Sequence, residues 1–377
     1  MQLFFKYLIR KRYLPFKYQL YTVKSEIISS PTLWFTIWLE DEIRRRYKKL
    51  IQNEFRKNFL VNVFHATKVL DKFNGGRTLS EVLEFNGKIM LDSGGFLYQK
   101  EGKPPPSVDE YLEITKKLKP DIVVSLDFPL NPLSTQNNHK RVIKTLKNLI
   151  EIRDKFSSEK VIIMPVLHGF NIKAIEYMLQ FMEKHDIDLS YVGLGSLVPL
   201  IRHRVKQGRQ IIIKLVAYLR KRLPHSLLHV FGIGGTTTMH IMFFMGVNSI
   251  DSAGWEKKAA NGVIQLPGIG DRFLSKKPHN RTVLKSEELK VLKECRCPVC
   301  LLYDNIKERI KLLNEKRDYR VVHNAWVYQR EVDIAREMIK IGKYDEYISN
   351  VLQSRPFKKL FNYAKSVMRE YKVINIM

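Results

Sequence analysis

Two sets of residues in this chain have the types and spacing to do chemistry. Cys295, Cys297 and Cys300 are its three cysteines, all within six residues, and His323 follows in the run Val321-Val322-His323-Asn324. Thiolates and an imidazole satisfy a tetrahedral Zn²⁺ at roughly 2.0–2.3 Å, and four protein ligands leave no position open for a substrate. The pattern therefore predicts a structural zinc held by Cys295, Cys297, Cys300 and His323, with three ordinary reduced thiols as the alternative. Cysteines confined to one short stretch rule out a disulfide framework and point to a reducing, intracellular, cytoplasmic setting.

The second set is three aspartates, Asp92, Asp127 and Asp251, each directly after an apolar run. A buried carboxylate is costly unless it is paired or hydrogen-bonded, so three facing one pocket imply that the pocket uses them. One can attack as a nucleophile while another carries protons as general acid and base. The third can accept hydrogen bonds from an N–H-rich ligand such as a purine edge. Each could instead cap the helix after its strand. Gly94-Gly95 permits close backbone approach to a ligand. Gly232-Ile233-Gly234-Gly235 lacks the lysine and the spacing of a nucleotide loop. His168 could bind a ligand or satisfy the protein interior. A Ser/His/Asp hydrolase is not expected, because no G-x-S-x-G elbow is present.

The elements that must position these groups follow from the texture of the chain. Short β-branched runs alternate with longer amphipathic stretches: 60–64, 88–91, 121–126, 161–167, 191–194, 227–231 and 247–250. Near-continuous apolar runs separated by helical segments indicate parallel strands buried on both faces. So many in series fit a TIM (β/α)8-type barrel, an α/β fold whose C-terminal strand ends converge on the catalytic face. Nearly every run ends in such a tip, among them Asp92-Ser93-Gly94-Gly95, Asp127, His168-Gly169, Gly195-Ser196 and Asp251-Ser252. The expected organisation is a basic helical N-terminal extension over 1–58 and a barrel catalytic domain over 59–280. A zinc-binding subdomain follows over 281–330, then C-terminal helices over 331–377.

The formal net charge of +27 is far from balance and suits a polyanion, of which nucleic acid is the commonest. The basic stretches 1–58 and 202–222 (Arg202, Arg204, Lys206, Arg209, Arg220, Lys221, Arg222) are candidate phosphate contacts, or else solvated helix faces. A third basic face is expected on the terminal helices, at Arg355, Lys358, Lys359, Lys365 and Arg369. No uninterrupted apolar stretch is long enough to span a membrane, and the charged N-terminus has no signal-peptide core.

LDSGGF at 91–96, SLDFP at 125–129, VGLGSLVPL at 192–200, HVFGIGG at 229–235, GVNSIDSAGW at 246–255 and CRCPVC…HN at 295–324 resemble the tRNA-guanine transglycosylase superfamily, in order across residues 85–330. The segments are closer to its archaeal than to its bacterial type. The resemblance implies a TIM barrel with a structural zinc that exchanges a guanine in nucleic acid for a free 7-deazaguanine base. It implies Asp251 as the nucleophile at C1′ and Asp92 as the proton shuttle. Asp127 and the Gly195-Ser196-Leu197 segment would bind the base, His168 stands in a base-contact position, and Ser93, Gly94 and Phe96 would shape the pocket. Family members often pair through the zinc region, so a homodimer or a helper subunit is a further expectation.

The departures from the family pattern bear on the substrate. Leu97 replaces the usual Gln after DSGGF, the usual V-Q-G tip reads Leu167-His168-Gly169, and Ser252-Ala253-Gly254-Trp255 follows Asp251 in place of the bacterial anticodon-contact motif. The residues after 330 leave little for the C-terminal RNA-binding modules of archaeal members. The superfamily includes a branch that inserts 7-deazaguanine derivatives into DNA, and DNA is the expected substrate. A tRNA-guanine transglycosylase is the alternative, and a non-catalytic nucleic-acid-binding partner subunit is the third reading.

Overall fold

The computed structural model describes residues 28–44, 55–134, 136–156, 161–203, 205–275, 282–352 and 355–373. Residues 1–27 and the basic run after Arg44 lie outside these, as do Arg204 and the side chains of Arg44, Arg202 and Arg355.

Nine parallel strands make the main sheet: β1 Thr32–Ile37, β2 Asn58–Asn62, β3 Lys88–Asp92, β4 Ile122–Val124, β5 Ile162–Met164, β6 Val166–His168, β7 Tyr191–Gly195, β8 Leu227–Val230 and β9 Ser249–Ser252. Their order is β5-β4-β3-β2-β1-β9-β8-β7-β6. β5 and β6 are two halves of one strand, separated only by Pro165, which has no N–H to give to a ladder. The first half pairs with β4 and the second with β7, so the ring of eight strands closes as a TIM-type barrel. The run 161–167 read as a single strand is thus interrupted at its proline.

One boundary differs from the sequence expectation. Thr32–Ile37, inside the supposed extension over 1–58, is the strand that closes the ring: it pairs with β2 on one side and β9 on the other. The run Leu33-Trp34-Phe35 is fully buried, which a solvated basic helix would not be. Strand periodicity explains both faces. Trp34, Leu60, Met90, Val124, Met164, Val166 and Tyr191 point inward and form a separate interior cluster. Their neighbours Leu33, Phe35, Val61, Leu91 and Val123 point outward against the helices. Truncating a fully buried aromatic such as Trp34 costs roughly 3–5 kcal/mol.

The same period of two carries the apolar interior up to a polar rim. Two residues beyond Trp34, Leu60, Met90 and Ser249 stand Thr36, Asn62, Asp92 and Asp251. Helices between the strands begin with side-chain caps. Ser107 and Glu110 form a reciprocal capping box ahead of Val108–Leu118, and Asn171 caps Ile172–Lys184.

After the barrel, β10 Val263–Leu266 and β11 Gly270–Phe273 form a separate antiparallel hairpin. Although expected within the barrel domain, this hairpin shares a hydrophobic cluster with the three cysteines and with Val322 of the helix Arg317–Lys340. That helix runs through the expected boundary at 330. The helices Tyr344–Val351 and Arg355–Glu370 follow it. Among the described residues, no helix is long and apolar enough to cross a membrane.

Candidate active site

A pocket of about 450 Å³ lies at the C-terminal strand ends and is lined by Asp92, Asp127 and Asp251 together. Ser93, Phe96, Gly195, Ser196 and Leu197 also line it. Gly94 does not, but its φ of +82° belongs to the left-handed region that starts the helix Gly95–Lys100.

Asp251 is the penultimate residue of β9, with both oxygens engaged. Thr36 Oγ1 donates to Oδ2 at 3.1 Å, and the Gly232 N–H donates to Oδ1 at 2.5 Å. His229 Nε2 lies 3.6 Å from Oδ1. The ring is wholly buried, and its Nδ1 sits 2.8 Å from Ser249 Oγ, which in turn lies 2.7 Å from the Tyr191 hydroxyl. A carboxylate fixed by two donors, with its free lone pairs facing a cavity, is oriented for attack.

Asp92 ends β3 in register with Asn62 of β2, whose Nδ2 donates to its Oδ2. The Gly94 N–H donates to the same oxygen at 3.3 Å. Burial, and then the negative charges of Asp127 and Asp251, push its pKa up to about 7. A carboxyl that exchanges its proton near neutrality is suited to general acid–base work.

Asp127 is contacted on both sides. Ser93 Oγ donates to its Oδ1, and His168 Nε2 lies 2.9 Å from Oδ2, a close electrostatic contact without the alignment of a hydrogen bond. His168 Nδ1 is 2.8 Å from Ser196 Oγ, which accepts the Leu130 N–H at 2.8 Å. His168 is thus in the site's framework but does not line the pocket, contrary to a direct role against a ligand. Gly195 makes room for it, since a Cβ there would come within 2.7 Å of the imidazole Cε1.

Several pocket residues escape motif reading: Thr36, Trp38, Asn62 and His65, and from the helices Lys257, Lys258 and Tyr328. For Thr36 and Asn62 a signal did exist, the period of two from Trp34 and Leu60. Tyr328 lies on the helix Arg317–Lys340, far from any strand tip in sequence, and carries no local signal.

The expected metal ligands converge. The donor atoms of Cys295, Cys297, Cys300 and His323 lie within 4.8 Å of one another, and all four residues are buried. The sulfurs are 3.7, 3.3 and 3.5 Å from His323 Nδ1. A tetrahedral ion with ordinary Zn–S and Zn–N bonds would hold these atoms about 3.5 Å apart. His323 Nε2–H donates to the Gln265 carbonyl at 2.8 Å, which leaves Nδ1 for a metal. The next residue, Asn324, donates to the carbonyls of Trp255 and Val263 and accepts the Gln265 N–H, tying this centre to the barrel and to β10.

The fold and the site define a class: a closed parallel barrel with three carboxylates in one strand-tip pocket and a Cys3His centre at its side. The sequence profile of the Queuine tRNA-ribosyltransferase family matches residues 46–357, and the chain belongs to that family. It is 24% identical over 321 residues to a tRNA-guanine(15) transglycosylase of Sulfolobus acidocaldarius, covering 82% of this chain and 60% of the relative. To the Methanocaldococcus jannaschii protein of the same name it is 27% identical over 328 residues, covering 82% and 45%. For Methanococcus aeolicus the figures are 24% over 357 residues, 92% and 51%. The chain spans about half the length of the curated relatives it matches.

Proposed function

We propose that this protein is a guanine transglycosylase that replaces a guanine base in tRNA by a free purine-like base through a covalent intermediate. Asp251 attacks C1′ of the target nucleoside, the C1′–N9 bond breaks, and the departing guanine takes a proton from Asp92. The incoming base gives its N9 proton back to Asp92 and attacks C1′, releasing Asp251. Bonds and protons balance, so the exchange of one glycosidic bond for a similar one needs no energy source. Asp127 accepts the N–H groups of the base edge, the Gly195-Ser196-Leu197 segment offers backbone contacts, and Ser93 and Phe96 shape the wall and rim.

The observation that carries this reading is the division of labour in one pocket. A doubly donated carboxylate, Asp251, faces a carboxyl that titrates near neutrality, Asp92. Zinc suits the Cys3His set and, with four protein ligands, would hold structure only. The preference for DNA drawn from the sequence gives way to tRNA because the relatives matched carry tRNA-guanine(15) transglycosylase as their name.

The test is incorporation of radiolabelled guanine, and separately of 7-cyano-7-deazaguanine, into bulk tRNA and duplex DNA side by side, with Asp251→Asn as control. Label entering tRNA and lost in the control supports the proposal. Label entering DNA alone restores the DNA reading. Label in neither overturns exchange and leaves a binding subunit.

A further inference from the structure

Beside the catalytic pocket lies a second cavity, a cleft of about 830 Å³ between the start of the helix Gly208–Arg222 and the helix Arg355–Glu370. Lys206, Arg209, Lys214 and Lys359 line it, and no acidic side chain does. Among the described residues none of these four cations has a carboxylate partner. Arg209 is held from the side instead, its guanidinium carbon 5.6 Å from the centre of the Phe357 ring. Four like charges around one concavity repel each other, and an anion in the cleft would relieve that repulsion. Two arginines of the candidate basic stretch behave differently. Arg220 is buried and spends its guanidinium on the carbonyls of Gly246, Leu223 and Ser226, and Arg222 pairs with Glu183.

The cleft and the reaction site share one short helix. Val198 and Pro199 line the catalytic pocket, while Leu200 and Ile201, the next residues of the same short helix Val198–Arg202, line the cleft. Gly208 seats the following helix directly on this one, because a Cβ there would come within 2.4 Å of the Leu200 carbonyl oxygen. The pocket wall and the cleft wall are therefore two sides of a single rigid piece.

We propose that this cleft binds the phosphodiester backbone of the strand that carries the exchanged base, immediately beside the nucleotide turned into the pocket. This rests on the exchange reading above. Several cations spread along a groove match a chain of phosphates better than a single anion, and the Tyr363 ring in its wall offers a face for a neighbouring base.

The experiment compares fluorescein-labelled bulk tRNA binding by the native chain and by Lys206→Gln/Arg209→Gln/Lys214→Gln/Lys359→Gln over a range of KCl. The control is Lys116→Gln/Lys117→Gln/Lys119→Gln/Lys184→Gln, which removes as much charge near the C-terminal ends of two barrel helices. The cleft variant should lose about 2–3 from the slope of log K against log salt, at roughly 0.7 per phosphate, and bind tRNA at least tenfold more weakly at about 200 mM salt. Its KM for free guanine should stay within about twofold, which reports an intact pocket. An unchanged slope, or an equal loss in the control, overturns the proposal. So does a cleft variant that loses binding of inorganic tripolyphosphate while keeping its tRNA slope, since the cleft would then be a small-anion site. If the native chain exchanges no guanine but the cleft variant alone loses slope, the cleft stands and the exchange reading falls.

Discussion

His168 stands behind Asp127: its Nε2 lies 2.9 Å from Asp127 Oδ2, and the ring is wholly buried. It can act on a bound base only through Asp127 and through Ser196, whose Oγ is 2.8 Å from Nδ1. His168→Ala would leave the buried Ser196 hydroxyl without its imidazole partner and strip the close contact from Asp127 Oδ2, a loss of about 1–3 kcal/mol. The expected result is a KM for the free base raised about 5- to 100-fold, with kcat at saturation changed far less. A fall in kcat at constant KM would show instead that His168 serves the chemical step.

The proton held by Asp92 predicts a pH dependence with a definite sign. Burial and its acidic neighbours raise the folded pKa from 3.8 to about 7, so the acid form that the proposed mechanism needs for the departing base is lost as pH rises through neutrality. Single-turnover formation of the covalent adduct should fall about tenfold per unit above that point. Asp127→Asn removes one of the negative neighbours and should move the Asp92 titration downward, as read from carboxyl carbon chemical shifts. An upward or absent shift would contradict this account of its environment.

The same group sets a stability cost. The folded chain retains a proton that the unfolded chain releases, so stability from Asp92 is full below its unfolded pKa and is lost as pH rises through about 7. Asp92→Asn should therefore melt higher than the native chain at pH 8, by at most about 4 kcal/mol, and show no gain near pH 4. Calorimetry at the two pH values decides it. A gain that persists at low pH would point to a cause other than ionisation.

Asp251 depends on Thr36 for one of its two donors. Thr36→Val keeps the strand's shape and removes only the hydroxyl, so kcat should fall roughly 10- to 100-fold, the worth of one hydrogen bond to a charged group. Asp251→Asn should abolish the covalent adduct altogether. Denaturing gel separation of protein-linked tRNA reads both, and an adduct surviving in the asparagine variant would move the nucleophile elsewhere.

Metal removal should act on stability and leave the chemistry to the aspartates. The Cys3His set offers four protein ligands, and His323 is oriented by the Gln265 carbonyl. Chelation, or Cys297→Ser, should lower Tm by more than about 5 °C. Reconstitution with Co²⁺ should give the intense visible bands of a tetrahedral thiolate site and restore Tm. A chain that melts unchanged after its metal is stripped would refute a structural centre.

Much of this site was legible in the sequence because the barrel turns one-dimensional pattern into position. An apolar run followed by a polar tip puts Asp92, Asp127 and Asp251 at strand ends, and strand ends meet on one face. The cysteine spacing likewise announced its own cluster. What escaped reading was whatever depended on partners distant in sequence. β1 lay hidden because its six residues are bordered by basic, helix-like composition, although Ser29-Ser30-Pro31 before Thr32 is a usable break signal. The helix Arg317–Lys340 presents His323 to the cysteines, Asn324 to β10 and Tyr328 to the catalytic pocket, three destinations that no local periodicity separates. The placement of His168 behind Asp127 depends on Gly195 of the neighbouring strand, which motif comparison does not convey.

The pairing of β1 with β9 also governs when the candidate site can be completed. Thr36 and Asp251 are 215 residues apart in the chain, yet each completes the other's environment. During synthesis the first strand must wait, its buried face uncovered, until the last strand of the ring has left the ribosome. So non-local a closure is intrinsically slow. The Asp251 carboxylate acquires its Thr36 donor only at that final step, so a partly made or misclosed chain carries all three aspartates without the arrangement that the proposed exchange needs.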